Sequence, residues 1–174
     1  MAYKAINNLQ TINLDSLDTP SSTKEYPLGT MLPINDTTKG GESVFVYVKA
    51  HASIALGQPV MLQEGSGGDA ELVTVAPDTF EDGQGELIGF PTTAVTSAYY
   101  FWAQISGVIT AAAGTVAAGD HVEVIKGGTT VIVDGTTGGT SRTANSIGIA
   151  KTATASGTAS IVVMPNRRVH VKAS

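Results

Sequence analysis

Two side chains, His121 and Glu123, have the types and the spacing to begin a metal site. They are two residues apart, so on a β-strand both would point to the same face. A zinc site needs a third or fourth converging ligand, and only His51 or His170 offers another imidazole. The alternative is an exposed strand face that binds nothing. Because no complete ligand set can be assembled from the sequence, we predict no resident metal ion and no cofactor.

Four carboxylates form a second candidate site, since Ca²⁺ prefers several carboxylate oxygens on a flexible loop. They surround the sequence Asp82-Gly83-Gln84-Gly85 and lack the D-x-D-x-D-G spacing of a calcium-binding loop. We therefore predict a solvated acidic hairpin tip. The four residues are Asp78, Glu81, Asp82 and Glu86.

Motifs for catalysis are missing from the sequence. No serine stands in a G-x-S-x-G context. The glycine-rich runs 65–68 and 135–139 lack the Lys-Ser/Thr that follows the last glycine of a phosphate-binding loop, so they predict hairpin turns. With no nucleophile–base pair and no paired carboxylates to nominate, we predict that the protein is not an enzyme.

Composition and charge limit the possible partners. Hydrophobic residues make up 42% of the 174 residues and charged residues only 14%, and the formal net charge is −5. The chain has only ten basic residues, and they are spread thinly along the sequence. Because nucleic acid binding requires basic side chains that neutralise the phosphates, we do not expect a nucleic acid partner. The absence of cysteine excludes disulfides and fits synthesis in a reducing cytoplasm. No segment has the continuous apolar character of a membrane helix or of a signal peptide, so we expect a soluble protein with no membrane partner.

The elements that must position these side chains are predicted to be β-strands, because short alternating apolar runs are separated by Gly, Asp and Thr. Within 110–118 there is room for at most one short helical turn. The fold class is therefore all-β, a compact barrel or sandwich of short strands. The predicted strands are Val44–Lys49, Pro59–Gln63, Glu71–Ala76, Glu86–Phe90, Tyr99–Ile109, His121–Ile125, Thr130–Asp134, Ser146–Ala150, Ala159–Met164 and Val169–Lys172.

The first part of the chain differs from the rest, which predicts an extended N-terminal arm over 1–42 and a β domain over 43–174. Pro20, Pro27 and Pro33 suit neither a helix interior nor a central strand. Apolar residues occur here singly, with no period of 3.6 or 2. A segment of this kind seldom makes its own core, so we expect it to lie against something else.

A pattern of strands and turns occurs twice in the β domain. The segment 56–62, Leu-Gly-Gln-Pro-Val-Met-Leu, is similar to 118–124, Ala-Gly-Asp-His-Val-Glu-Val. In the same order, 87–90 is similar to 146–149, and each is followed by a small-residue turn and an apolar strand. Two pseudo-repeated halves that close on one core would explain this internal similarity. Chance is the alternative, because short glycine patterns match easily.

The aromatic segment Tyr99-Tyr100-Phe101-Trp102 predicts a contact surface. On a strand its residues alternate between two faces, so that one pair enters the core and the other pair needs a separate cover. A second subunit is one candidate for that cover. We therefore predict an oligomer interface at Tyr100 and Trp102.

A family resemblance appears from Gly107 onward. The order is Gly107-Val108-Ile109-Thr110, Ala112-Ala113-Gly114-Thr115 and Ala118-Gly119-Asp120-His121-Val122, then Ser146-Ile147-Gly148-Ile149-Ala150 and Gly157-Thr158-Ala159-Ser160-Ile161-Val162-Val163. Over 107–165 this resembles the small β-rich head proteins of tailed phages, the capsid decoration or cement class. The shared motifs are mostly turn glycines and strand hydrophobic residues. The likeness is loose over 43–106 and is not seen in the arm.

The resemblance implies a non-enzymatic protein that is made in the host cytoplasm and binds the outside of an assembled icosahedral shell, commonly as a homotrimer. Its partners would be the major capsid protein and further copies of itself. An aperiodic arm could lie across the shell and bury single side chains in pockets. A tail or fibre module of a virion is the main alternative, and a carbohydrate- or metal-binding β module is a third. The predicted capsid contacts are Leu14, Leu17, Tyr26, Leu28 and Leu32.

Overall fold

The computed structural model describes residues 3–5, 14–39, 41–64, 72–75, 87–124, 128–133 and 146–163. Within these ranges the chain forms eleven β-strands and one short 3₁₀ helix, and no helix is long and apolar enough to cross a membrane. The elements are β1 (Tyr3–Ala5), the 3₁₀ helix (Leu14–Asp18), β2 (Met31–Asp36), β3 (Gly41–Ala50), β4 (Val60–Glu64), β5 (Leu72–Val75), β6 (Leu87–Pro91), β7 (Tyr100–Ala113), β8 (His121–Val124), β9 (Val131–Val133), β10 (Gly148–Ala150) and β11 (Gly157–Val163).

The strands close into two five-stranded rings that share β7. In the first barrel the order is β3-β5-β4-β6-β7, and β7 pairs back with β3. In the second barrel the order is β7-β11-β10-β8-β9, and β9 pairs back with β7. The sharing is possible because β7 is 14 residues long: β3 pairs with 100–106 and β11 with 107–113. The prediction of an all-β barrel is confirmed.

Alternating side chains fill each barrel. The interior of the first contains Val46 and Val48 of β3 and Phe101 of β7, all at most 3% exposed. The interior of the second contains alternate residues of β7 and β11, including Ile109 and Ile161. The second cluster also takes in residues on the opposite face of β4 and β6 (Met61, Ile88 and Phe90), so the two barrels pack together.

The two barrels are repeats of one arrangement. Each has two antiparallel hairpin strands, a closing antiparallel strand and a parallel contact, β3 with β5 in the first and β7 with β9 in the second. Ile54 and Val95 exchange two backbone hydrogen bonds of 2.9 Å, and so do Val116 and Thr154. The predicted duplication is therefore visible in the hydrogen bonding as well as in the sequence.

The turn before β4 and the turn before β8 contain the same kind of side-chain hydrogen bond. Gln58 Oε1 accepts a bond of 3.0 Å from the backbone N of Ala55, and Asp120 Oδ2 accepts one of 2.7 Å from the backbone N of Ala117. The residue before each acceptor is a glycine with positive φ, 67° at Gly57 and 93° at Gly119. Glycine is needed here because other residues rarely adopt this conformation.

The N-terminal part of the chain belongs to the sheet, which corrects the predicted division into an arm and a domain. The boundary between 42 and 43 falls inside β3, and β2 pairs with β3 from Met31↔Val46 to Asp36↔Gly41. Pro33 hid this strand from the sequence pattern. A proline argues against a strand in the sequence, yet Pro33 lies within β2 opposite Val44 of β3.

The segment predicted as at most a helical turn instead prolongs β7 to Ala113. The small residues of this segment allow the strand to pack closely against its neighbours, and they do not indicate a helix. Ala111 and Ala113 are buried, and the backbone N of Ala112 donates a bond of 2.7 Å to Gly57 O. A Cβ on Gly57 would lie 2.6 Å from Thr110 O, so the turn and the strand touch through their backbones. The predicted strand 169–172, the glycine-rich runs and the acidic tip lie outside the described residues.

Candidate interaction surface

Both faces of the aromatic segment of β7 are covered within the chain. Phe101 and the partly buried Tyr99 belong to the interior of the first barrel, whereas Trp102 and Tyr100 lie on its outer face. This alternation is as predicted. The cover of the outer face, however, comes from residues 14–34 of the same chain, here called the N-terminal cover, and it leaves Trp102 only 1% exposed.

Four aromatic rings form the centre of the covered face. Tyr47 on β3 pairs with Trp102 on β7, with ring centroids 5.1 Å apart. Tyr26 of the N-terminal cover lies against both rings, at 5.2 Å from Tyr47 and 5.3 Å from Trp102. Such edge-on and tilted contacts are favourable between aromatic rings. Tyr100 stacks on Tyr47 at 6.2 Å, and Lys49 Nζ lies 5.7 Å from the centre of the Tyr100 ring, within reach of a cation–π contact.

Hydrogen bonds hold the N-terminal cover in place. Trp102 Nε1 donates to Ser16 Oγ at 3.2 Å, which satisfies the indole donor inside an apolar cluster. Ser21 and Tyr100 exchange backbone hydrogen bonds of 2.9 and 2.8 Å. The cover is therefore part of the folded chain and is fixed by directional contacts as well as by apolar packing.

The predicted capsid contacts lie on this cover, and the structure corrects two of them. Leu17 and Leu32 are 2% and 1% exposed and pack in the same cluster as Trp102, so they cannot reach a shell in this conformation. Both side chains pack against the aromatic outer face of the first barrel in their own chain. Leu14, Tyr26 and Leu28 are half-buried and pack against the cluster, and their exposed parts remain predicted contacts.

The electrostatics of the covered face follow from burial. Burial raises the pKa of the Tyr47 phenol above its ordinary value. The hydrogen bond of 3.1 Å that its oxygen accepts from the backbone N of Glu25 opposes the shift, and the Glu25 charge adds to it. Tyr47 therefore stays neutral and serves as an acceptor for the cover.

A buried carboxylate organises the turn between β2 and β3. Asp36 is 1% exposed, and its Oδ1 accepts from the backbone N of Thr38 at 3.0 Å and of Lys39 at 2.9 Å. Burial lowers the pKa of the Lys39 ammonium, and the nearby charges of Asp36 and Asp18 oppose that shift. The sequence analysis missed Asp36. The available signal was an Asp, a turn-forming residue, directly before Thr-Thr-Lys.

The metal candidates do not converge in the structure. His121 is exposed at the start of β8, with Nδ1 3.3 Å from Ser146 Oγ, whereas Glu123 is only 5% exposed. His51 is exposed after β3, and His170 lies outside the described residues. Across the part of the chain that the structure describes, no three His, Cys, Asp or Glu side chains group as metal ligands.

We expect protein dialysed against metal-free buffer to carry no stoichiometric zinc or calcium. A stable site needs three or four converging ligands, and the described residues offer none. Elemental analysis by mass spectrometry measures this directly. One equivalent of zinc that disappears in His121→Ala would overturn the prediction and favour a metal-binding module.

An open cleft lies between the N-terminal cover and Tyr99. It has a volume of about 530 Å³ and a hydroxyl-rich, acidic wall. Such a wall can bind polar groups, but it includes no histidine, lysine or cysteine that could act with a nucleophile. The lining residues are Asp15, Ser16, Thr19, Pro20, Ser21, Ser22, Glu25 and Tyr99.

Comparison with known proteins adds one structural likeness. No family model and no curated protein matches the chain. Among solved structures, the N base of the head fiber gp8.5 of bacteriophage phi29 aligns with a TM-score of 0.49 and 13% sequence identity, over 75% of this chain and 99% of that chain. No function is transferred at this level of similarity.

Proposed function

We propose that this protein is a non-enzymatic structural component of a tailed-phage virion, which binds the outer surface of the assembled capsid and stabilises it. The observation that carries the proposal is the extent of the family resemblance. Residues 107–165 resemble capsid decoration proteins, and they coincide with the second barrel, from the second half of β7 to the end of β11. The resemblance thus follows one complete folded unit.

The resembling pattern includes glycines that the backbone requires. Gly107 and Gly157 have φ of 91° and 117°, a region that favours glycine. Gly148 has no room for a Cβ, which would meet the carbonyl oxygen of Val162 on the neighbouring strand. These positions support a shared backbone path, which is stronger support than similar composition.

The architecture suits a protein that must persist on the outside of a particle. Closed rings leave few free strand edges, and free edges are what drives uncontrolled pairing between copies. With only 14% charged residues, the surface relies on hydroxyl and backbone groups, so binding to a shell needs little desolvation of ions.

The proposed partner is the major capsid protein, met after both proteins are made in the host cytoplasm. The exposed parts of Leu14, Tyr26 and Leu28, together with Met31 at 56% exposure, offer apolar contact area on the N-terminal cover. The homotrimer remains a proposal that rests on the resemblance alone, since Trp102 is buried within its own chain. Sedimentation equilibrium at micromolar concentration tests it, and a monomer both free and on particles would contradict it.

We expect the purified protein to bind heads that lack it and to make them more resistant to heat. Each bound copy favours the assembled shell over its dissociated subunits by mass action. The free energy contributed by one copy is small, but it adds up over many sites. The measurement is the number of copies per head at saturation, with the temperature at which heads release their DNA. Saturation at a number set by the shell lattice, with a raised release temperature, is the expected result.

Tail particles from the same lysate are the matched control. Binding to tails and not to heads would contradict the proposal and favour a tail or fibre module. Binding to neither, with a glycan ligand recovered instead, would favour a carbohydrate-binding module.

A further inference from the structure

A cavity with a mainly apolar wall lies at the junction of the two barrels. Its volume is about 160 Å³. A cavity of about 150 Å³ is large enough for a single benzene ring. The apolar part of the wall comes from Leu56, Phe90, Pro91 and Ile109. By its size and its lining, the cavity fits a small ligand with an apolar body.

The polar part of the wall comes from Lys39, Thr92, Gln104 and Thr110. Two of these side chains already hold hydrogen bonds within the chain. Thr92 Oγ1 donates to Leu17 O at 2.9 Å. The Nε2 of Gln104 donates to Ser43 Oγ at 3.0 Å, Ser106 O at 3.1 Å and Val108 O at 3.2 Å. Among the described residues that line the cavity, Lys39 alone carries an amine, so the reactive chemistry of this wall belongs to Lys39.

Lys39 is held at this wall by the turn between β2 and β3. Its backbone N donates to Asp36 Oδ1 at 2.9 Å, and its side chain is half-buried. Burial lowers the pKa of its ammonium, although the charges of Asp36 and Asp18 oppose the shift. A lysine that is desolvated in an apolar pocket is a better nucleophile, because more of it is unprotonated. The two carboxylates also repel an anionic ligand, so a neutral one fits the charges.

We propose that this cavity binds a small, neutral, apolar aldehyde of about one ring in size, and that the Lys39 amine forms an imine with it. The lone pair of Lys39 Nζ attacks the carbonyl carbon, and the carbonyl oxygen takes up a proton to give a carbinolamine. Loss of one water then leaves the C=N bond, and hydrolysis by water reverses the step. Lys39 is thereby a site of reversible covalent modification, which goes beyond the proposed structural function and does not depend on it.

The first test labels the full-length protein with benzaldehyde and sodium cyanoborohydride, which reduces the imine to a stable secondary amine. Peptide mass spectrometry gives the rate of labelling at each lysine. The exposed Lys24 and Lys151 are the internal controls. We expect Lys39 to be labelled at least about tenfold faster than either, since the cavity holds the aldehyde beside the amine. Labelling of Lys39 no faster than that of the two exposed lysines would overturn the proposal.

Competition by toluene shows whether the preference comes from the cavity. Toluene has a similar ring but no carbonyl group, so it should occupy the cavity without reacting. We expect excess toluene to slow the labelling of Lys39 and to leave that of Lys24 and Lys151 unchanged. Fast labelling of Lys39 that toluene does not slow would overturn the assignment to this cavity.

A pair of matched variants locates the site. Leu56→Trp places a larger side chain at the wall of the cavity, whereas Ala118→Trp makes the same change at the equivalent, exposed position of the second barrel. We expect L56W to lose the fast labelling of Lys39 and A118W to keep it. Equal labelling of Lys39 in the two variants would contradict the proposal. The toluene experiment uses the unaltered chain, so the proposal can fail even if L56W does not fold.

Discussion

Replacing Trp102 by alanine is expected to lower the free energy of unfolding by about 3–5 kcal/mol, the usual cost of removing a buried aromatic side chain. Trp102 is 1% exposed and contacts the rings of Tyr26 and Tyr47. Its loss also leaves Ser16 Oγ without the indole donor. Urea unfolding followed by circular dichroism measures the change, provided that the variant remains folded in the absence of urea.

Met31→Ala is the matched control, because Met31 belongs to the same N-terminal cover but is 56% exposed. It is expected to change stability by no more than about 0.5 kcal/mol. A result in which Trp102→Ala leaves stability unchanged but dissociates an oligomer would contradict the structure, and would restore Trp102 as an interface residue. Deleting residues 1–30 should act like Trp102→Ala, since the deletion removes Leu17 and Tyr26 from the same cluster.

Replacing Gly148 by alanine is the second large effect we expect. The added Cβ would meet the carbonyl oxygen of Val162 and lie 2.9 Å from its carbonyl carbon, and a strand backbone cannot move away without breaking β10–β11 pairing. Overpacking costs up to about 3 kcal/mol, and each lost hydrogen bond adds about 1 kcal/mol. We expect a loss of about 3 kcal/mol or more in urea unfolding, or failure to fold at growth temperature.

Gly114→Ala tests whether the effect is specific to the position. A Cβ at Gly114 would have no neighbour closer than 3.8 Å, and the backbone N–H that bonds Val131 O would be kept. Stability should then stay within about 0.5 kcal/mol or rise slightly, since alanine restricts the unfolded chain. Equal losses in Gly148→Ala and Gly114→Ala would show that the close approach of β10 and β11 is not what limits residue 148.

The strands were predictable from the sequence where local pattern and tertiary role agree. Val44, Val46 and Val48 alternate, and two of the three fill the first barrel. The repeated Gly57 and Gly119 turns were predictable for a similar reason, because a positive φ favours glycine. In each case the residue type indicates either the backbone conformation at that position or the face of the strand on which the side chain lies.

Other features depend on contacts between distant segments and could not be predicted in this way. β2 contains Pro33, a residue that argues against a strand until the pairing of β2 with β3 is known. The apolar residues of the N-terminal cover lack a period because they fit an irregular aromatic face, so the sequence could not distinguish a cover for this chain from a contact with another. Gln104 was missed as well, although a lone amide within an apolar strand is a usable signal.

The measurement that tests the central claim most directly is the location of the protein in purified, infectious particles. A reconstruction of the head at a resolution that separates strands would place two fused five-stranded barrels wherever the protein sits. We predict density for this tandem barrel at regular lattice sites on the outer surface of the head, with the exposed side of the N-terminal cover against the shell. Density for it only on the tail, or its absence from particles, would contradict the account.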